Sequence, residues 1–432
     1  MRLSNVLGVP SRNREAVRIA VLADSDTRWK WGALTARRIS PPSDTRVTGF
    51  VLRGRATPTA RQLAEVGADV AAPREVTGAE FLRAVRDEAY DVVVLALVGG
   101  TVQAMLHGLA GMVLPRRPVV VTGYVGVVYE KLADGLLLRH GADVVLANSA
   151  ADARRFRAVY EGVGADASAV VEAALPFLGG APYAPVPDRD TVVFAAQPSV
   201  PATRADRAYL LRRLVEHARL HPHREVLLKL RSKPGEHTTH VEEHPYQKLA
   251  RGPLPPNFRL VHGHMGEVLD RTDLLVTVSS TAALEALHRG VPTAVLTDLG
   301  VREVLGNHHF IGSGLLTSWD RLDGGHRPRP DAAWLADQGV AADGSYETAF
   351  DAARARVLDL RATPALPPIA PYYTPGTAPG YLPGVLSRHR LDATTEPPAA
   401  SPVRRLLRDA ARGLYRHGVQ RVAPAIRRLG EL

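Results

Sequence analysis

The stretch Leu274-Leu-Val-Thr-Val-Ser-Ser-Thr-Ala-Ala-Leu-Glu-Ala-Leu-His-Arg-Gly-Val-Pro-Thr-Ala-Val-Leu-Thr297 decides the fold. Leu274 to Val278 is a short β-branched and leucine run bounded by polar residues, the pattern of a buried strand. Ser279, Ser280 and Thr281 follow, residue types preferred as helix N-caps, and then Ala282 to Leu287, strong helix formers. Gly290 is a helix stop and Pro292 bars continuation. Thr293 to Leu296 is the next strand. Strand, hydroxyl-rich turn, helix, Gly-x-Pro and strand make one βαβ crossover of a parallel sheet.

The turn is where chemistry can sit. Unpaired backbone N–H groups at a helix start, together with the hydroxyls of Ser279, Ser280 and Thr281, suit a diphosphate. Glu285 lies one helical turn beyond Thr281 on the same face, where a carboxylate accepts hydrogen bonds from ribose hydroxyls. The plainer alternative is an ordinary cap followed by a solvated glutamate.

The pattern Ser-Ser-Thr-x-x-x-Glu-Ala-x-x-x-Gly-x-Pro resembles the donor-site element of GT-B glycosyltransferases. Both the lipid-linked N-acetylglucosaminyl type and the capsule, polysialyl and CDP-glycerol type carry it, and the chain as a whole resembles an actinobacterial group regarded as glycosyltransferases. The resemblance implies that the hydroxyl turn holds the donor diphosphate and Glu285 the ribose. The motif is shared with nucleotide-sugar 2-epimerases, so it marks fold and nucleotide-sugar site rather than reaction.

Composition narrows the classes. A chain of 432 residues accommodates two or three domains with their own cores. The absence of cysteine excludes disulfides, thiolate metal sites and cysteine catalysis. Met1 to Val17 lacks the continuous apolar core of a secretory signal, and the uncharged stretch Val92 to Leu114 divides into a strand and a helix rather than a span. The expectation is a cytoplasmic protein. Of the formal net charge of +10, most sits between Val403 and Leu429, with eight arginines against one aspartate. The body is therefore near neutral, which argues against a nucleic-acid surface. In the tail Leu407, Ala411, Leu414, Val422 and Leu429 recur at roughly helical spacing with arginines between them. That predicts a basic amphipathic helix, kinked at Pro424, which either holds the enzyme peripherally at an anionic inner-membrane surface or packs on the fold.

Working outward, alternating strands and helices predict two Rossmann-like, doubly wound α/β domains facing across a cleft. The N-terminal, acceptor-binding domain covers residues 1–178 and the nucleotide-sugar domain 188–365. A Pro-rich segment and the basic helix follow at 366–432. Strands are expected at Val17–Ala23, Thr48–Leu52, a segment ending Val70–Pro73, Asp91–Val98, Pro118–Thr122 and Gly141–Ser149. In the second half they fall at Thr191–Ala196, Glu225–Leu230 and Phe258–Val261. Helices are expected at Gly32–Ile39, Gly78–Glu88, Thr101–Met112, Tyr129–His140 and Arg204–His221. Asp24 to Trp31 reads as a loop, and Pro176–Pro187, rich in Gly and Pro, as the interdomain linker.

Loops that follow strands face such a cleft. Lys229, Arg231 and Lys233 share a side at the end of one strand and would neutralise a diphosphate leaving group; alternatively they coat a solvated loop. In the capsule-type relatives a Lys or His-Pro element follows this strand, whereas here His-Pro occurs later, at His244-Pro245. The resemblance also places His264 and Met265 against the nucleobase through their backbone. His262 with His264, and His308 with His309, lack a third ligand nearby, and no metal or other cofactor is expected. Asp24 and Asp26, after the first strand, are candidate general bases for the acceptor hydroxyl, or else helix caps. Glu130 is the reserve base. Trp29 and Trp31 read as core residues.

These readings converge on a metal-independent transferase. It moves a sugar, or a related polyol phosphate, from a nucleotide-activated donor to a glycan, lipid-linked or small-molecule acceptor in cell-envelope or secondary-metabolite glycan synthesis. The alternatives are a nucleotide-sugar 2-epimerase or hydrolase on the same scaffold, and a non-enzymatic nucleotide-sugar-binding protein.

Overall fold

The computed structural model describes residues 16–391, apart from 41–44, 55, 66–70, 128–130, 232 and 234–241. Glu130 and the 403–429 tail lie outside the described residues. The N-terminal half supplies β1 (Val17–Ala23), β2 (Thr45–Leu52), β3 (Arg74–Val76), β4 (Val92–Ala96), β5 (Val119–Gly123), β6 (Val144–Ala147) and β7 (Val170–Glu172). They form one sheet in the order β3-β2-β1-β4-β5-β6-β7, all parallel. The second half supplies β8 (Thr191–Ala195), β9 (Glu225–Lys229), β10 (Phe258–Val261), β11 (Leu274–Thr277), β12 (Thr293–Leu296) and β13 (Leu316–Thr317). Their order is β10-β9-β8-β11-β12-β13, again all parallel.

The strand composition explains this. β4, β5, β6, β8, β11 and β12 are buried along their whole length, as expected of parallel strands covered by helices on both faces. The pair of doubly wound domains predicted from the alternation is thus present. In each sheet the order reverses beside the first strand, between β1 and β4 and between β8 and β11. Such switch points open a crevice at the carboxyl ends of the strands.

Several local expectations are corrected. The segment Asp24–Trp31 is not a loop: a helix runs over Asp26–Arg38, and Ser25 caps it by accepting from the Arg28 N–H. Trp29 and Trp31 drive this early start, because both indoles are buried in the core. The third strand is Arg74–Val76 rather than a segment ending at Pro73, and the helix expected over Tyr129–His140 is observed over Leu132–Leu137. Helix Ala150–Gly162, capped by Ser149, and strand β7 add to the expected elements. The linker lacks helix or strand over 176–187, as expected, but Leu178 is buried and the Tyr183 N–H donates to the Arg289 carbonyl.

The chain also crosses back. Helix Asp351–Ala362 buries Ala353, Val357 and Leu360 against β5, β6 and β7 of the N-terminal sheet. Beyond it the Arg117 guanidinium donates to the Pro367 carbonyl, and Gln103 donates to that of Tyr373. Ile369 and Val385 join the apolar cluster on the outer face of the same sheet. A boundary at 365 therefore cuts through a segment that already belongs, by packing, to the N-terminal half. The clusters on the inner faces of the two sheets run together through Trp31, Leu175, Val268, Phe310 and Phe350.

Gly32 marks a tight helix–sheet approach. A Cβ there would sit 2.7 Å from Val21 Cγ1 and 2.9 Å from Ala96 Cβ. Both neighbours are sheet core, so the helix must lift. Gly32→Ala is expected to destabilise the protein by about 1–3 kcal/mol, the usual cost of overpacking, and to melt several degrees earlier. An unchanged melting temperature would show that the helix is not held by this contact.

Candidate functional site

The carboxyl ends of the two sheets enclose a cleft of about 790 Å³. The N-terminal half lines it with the loop and helix after β1 (Ser25 to Arg28 and Lys30), the loop after β4 (Val98, Gly99) and the loop after β5 (Tyr124 to Val127). The C-terminal half contributes the loop after β8 (Ala196 to Val200), the end of β9 (Lys229 to Arg231), Gly263 to Met265, and Ser279 to Ala282 with Glu285. The walls are thus the loops beside both switch points.

The hydroxyl turn is built differently on its two sides. Ser279 is buried, and its hydroxyl donates 2.5 Å to the Leu305 carbonyl, while its N–H donates to Gln197 Oε1. That hydroxyl is committed to holding the turn. The Ser280 N–H bonds the Thr277 hydroxyl, its own Oγ accepts from the Ala282 N–H, and Thr281 makes no side-chain capping bond. Ser280 and Thr281 are partly exposed at the cleft wall. Gly126 of the opposite domain comes close: a Cβ there would lie 3.4 Å from Thr281 Oγ1.

Glu285 is no solvated glutamate. It is buried at the cleft and its Oε2 lies 3.5 Å from Lys30 Nζ of the N-terminal half. Lys30 also sits over the Phe177 ring. A second ion pair crosses the cleft nearby, with Arg231 Nη2 2.6 Å from Asp26 Oδ1 and in hydrogen-bond contact with the Thr27 hydroxyl. Asp26 and Lys30 stand one turn apart on the same helix, so one helix face presents a carboxylate and an ammonium to an arginine and a glutamate opposite.

Asp24 is placed otherwise. Its Oδ2 accepts from the Val98 N–H at 2.9 Å and its Oδ1 from Arg28 at 2.9 Å. Oδ2 thus ties the end of β1 to the loop after β4 and Oδ1 ties it to the following helix, and Asp24 is absent from the cleft lining, so of the two aspartates only Asp26 faces the cleft. Lys233 is exposed and likewise off the lining, unlike Lys229 and Arg231. Lys229 is buried, its Nζ donates to the Leu230 carbonyl, and burial pushes its pKa down to about 8. His264 lines the cleft with its pKa lowered, first by burial and then by the Lys30 charge. Met265 packs partly buried beside it. His244-Pro245 leads into a short helix whose Tyr246 is buried against Phe194. Of the loop after β12, Glu303 to Gly306 line the cleft, while Asp298 accepts from Tyr209 and the Trp319 N–H.

Lys30 and Gln197 escaped the sequence reading. Lys30 was assigned to a loop, which hid its one-turn relation to Asp26. Gln197 follows the first strand of the second sheet, and the switch-point rule alone could have drawn attention to it.

Among the described residues, His217, His221 and Asp323 bring ligand atoms close enough to suit a cation. Their surroundings do not suit one. His217 Nδ1 lies 2.6 Å from Asp323, its Nε2 accepts from Arg224, and Arg213 holds the other Asp323 oxygen at 2.8 Å. Burial lowers the His217 pKa to about 4, in keeping with a neutral ring whose two nitrogens are both bonded. Two guanidiniums already occupy the positions from which an ion would draw charge. His309 is buried against Phe310 and Trp334, with its pKa lowered to about 4 by burial.

The buried lysine yields a sign-definite test. Because Lys229 has its pKa lowered from 10.5 to about 8 on folding, its protonated form costs stability below about pH 8. That cost is relieved as pH rises from about 8 towards 10.5. Lys229→Met is expected to melt above the parent at pH 7, with the gap narrowing above pH 8. A gap independent of pH would mean that the lysine is not desolvated.

Comparisons with known proteins agree with this architecture. A family model described as "Putative glycosyltransferase (DUF6716)" matches residues 19–358. No curated protein is detectably similar in sequence. Among solved structures, an S. aureus MnaA–UDP co-structure is 12% identical with a TM-score of 0.51, covering 79% of this chain and 95% of that one. The UDP-GlcNAc 2-epimerase of Neisseria meningitidis bound to UDP-GlcNAc is 11% identical with a TM-score of 0.50, covering 80% and 100%. The glycosyltransferase SnogD of Streptomyces nogalater is 16% identical with a TM-score of 0.46, covering 81% and 100%. At these identities the first two likenesses establish a shared fold.

Proposed function

Because the chain belongs to the glycosyltransferase family whose model spans residues 19–358, we propose that its cleft binds a nucleotide-sugar on the β9–β11 side and brings an acceptor hydroxyl to Asp26. The observation that carries the reading is the convergence of Lys229, Arg231, Ser280, Thr281 and Glu285 of one domain with Asp26 and Lys30 of the other on a single cleft. Two solved structures of the same fold hold UDP or UDP-GlcNAc, which makes uridine nucleotides the first probes to try.

In this reading Glu285 accepts from the ribose hydroxyls, and His264 and Met265 approach the base. Ser280, Thr281 and the N–H groups of their turn bind the diphosphate. The acceptor oxygen bonds to the anomeric carbon as the bond from that carbon to the diphosphate oxygen breaks. The departing electron pair is stabilised by Arg231 and Lys229, and the hydroxyl proton passes to Asp26. These cations supply what a divalent ion would otherwise provide, so transfer is expected to need no metal. Hydrolysis or 2-epimerisation would call for several carboxylates around the sugar. Among the described residues the donor side of the cleft offers Glu285 and Glu303, which favours transfer.

Ser280→Ala and Glu285→Ala are each expected to weaken binding of the best nucleoside diphosphate while leaving the protein folded. Loss of a hydrogen bond to a charged group costs about 1.5–3 kcal/mol, which is at least several-fold in Kd. A thermal-shift and calorimetric series over UDP, GDP, CDP and dTDP measures this. Unaltered Kd in both variants removes the donor site from this cleft.

Asp26→Asn is expected to abolish transfer without loss of donor affinity, with activity of the parent persisting in EDTA. The readout is nucleoside diphosphate released from the donor in the presence of sugar and lipid-linked acceptors. Turnover in Asp26→Asn together with its loss in Glu130→Gln would move the base to Glu130. Loss on chelation, restored by manganese or magnesium, would overturn metal independence.

A further inference from the structure

Resting on that reading, we propose that Arg231 is a positioning residue that exchanges partners. It holds Asp26 until a donor diphosphate arrives, then turns to the diphosphate and releases the carboxylate to the acceptor hydroxyl, so that donor precedes acceptor. The Arg231 guanidinium lies 2.6 Å from Asp26 Oδ1 and also contacts the Thr27 hydroxyl. The guanidinium thus occupies a carboxylate oxygen to which the acceptor proton would otherwise pass. A diphosphate carries more charge and more acceptor oxygens than one carboxylate, and a guanidinium fork matches it bidentately.

The neighbouring cation cannot make this move. Lys229 is buried and its Nζ is tied to the Leu230 carbonyl. The Arg231 side chain, by contrast, is 30% exposed and can swing without disturbing the core. In an empty cleft Arg231 thus occupies Asp26 Oδ1, so that water or acceptor entering first finds that oxygen taken. The diphosphate takes the arginine, and the freed carboxylate later takes one proton from the acceptor.

The test is a double-mutant cycle on nucleotide affinity, read by calorimetry with UDP, GDP, CDP and dTDP. Breaking the Arg231–Asp26 pair subtracts from binding in the parent. Asp26→Asn is therefore expected to tighten Kd about two- to fivefold, the range for a partly exposed ion pair. Arg231→Gln is expected to weaken Kd, and adding Asp26→Asn to it is expected to change nothing further. If the tightening persists in the Arg231→Gln background, simple repulsion between Asp26 and the diphosphate explains it and the exchange is wrong. Unchanged Kd in Asp26→Asn, with Arg231→Gln weakened, likewise overturns the exchange but leaves the donor site standing. Unchanged Kd in Arg231→Gln removes Arg231 from the donor site and takes the exchange with it. Melting curves check that each variant is folded, and Arg231→Met serves as a second replacement.

Discussion

Parallel strand pairing is the constraint on which everything else depends. In an all-parallel sheet every strand ends on the same edge, and each connection returns over a face. Among the described residues, thirteen strands in two such sheets therefore deliver their strand-to-helix loops to two edges. The shared apolar cluster that joins the inner faces sets those edges against each other. The returning helix Asp351–Ala362 ties the second half back onto the first. Cleft geometry is thus a consequence of core packing, to which lining residues such as Ser279 also contribute by holding their loops.

Electrostatics in the cleft follows from that juxtaposition. Lys30 with Glu285 and Arg231 with Asp26 are pairs between halves, each formed from residues more than two hundred positions apart. The Arg231–Asp26 pair is partly exposed and contributes modestly to stability. Their importance is to leave the cleft near neutrality while concentrating groups that an anionic, hydroxyl-bearing ligand can recruit. Lys229 is the contrast: a buried cation, depressed in pKa and fixed to a backbone carbonyl, whose desolvation is best repaid by a bound anion.

The network around His217 shows why proximity of ligand-type residues is a weak signal by itself. Two histidines one turn apart and an aspartate are a metal-like trio, yet Arg213 and Arg224 complete the hydrogen bonding. The trio instead links helix Arg204–Leu220 to helix Trp319–Asp323 and, through Arg224, to Asp190 before β8.

Local chemistry sufficed to read much of this protein from its residues. Apolar runs named most strands, the Ser-Ser-Thr turn and Gly-x-Pro stop bounded the decisive crossover, and the resemblance of the chain to glycosyltransferases is matched by the family assignment. Those signals work because strand burial and helix stops are properties of a few neighbouring residues. What needed tertiary structure was everything set by contacts at long sequence separation. Asp24 and Asp26 look equivalent in sequence. Only the approach of β4 commits Asp24 to the Val98 N–H, and only the facing domain gives Asp26 to Arg231. Ser279 and Ser280 are also adjacent and alike, yet Leu305 claims one hydroxyl and not the other. The early start of the Asp26–Arg38 helix was missed because two tryptophans gained burial that no local propensity records. Composition and spacing decided that there would be two sheets and a polar cleft, because those follow from local burial and turn chemistry. Which polar residues face that cleft was decided by packing, because a side chain's partner is chosen by the three-dimensional neighbours it meets.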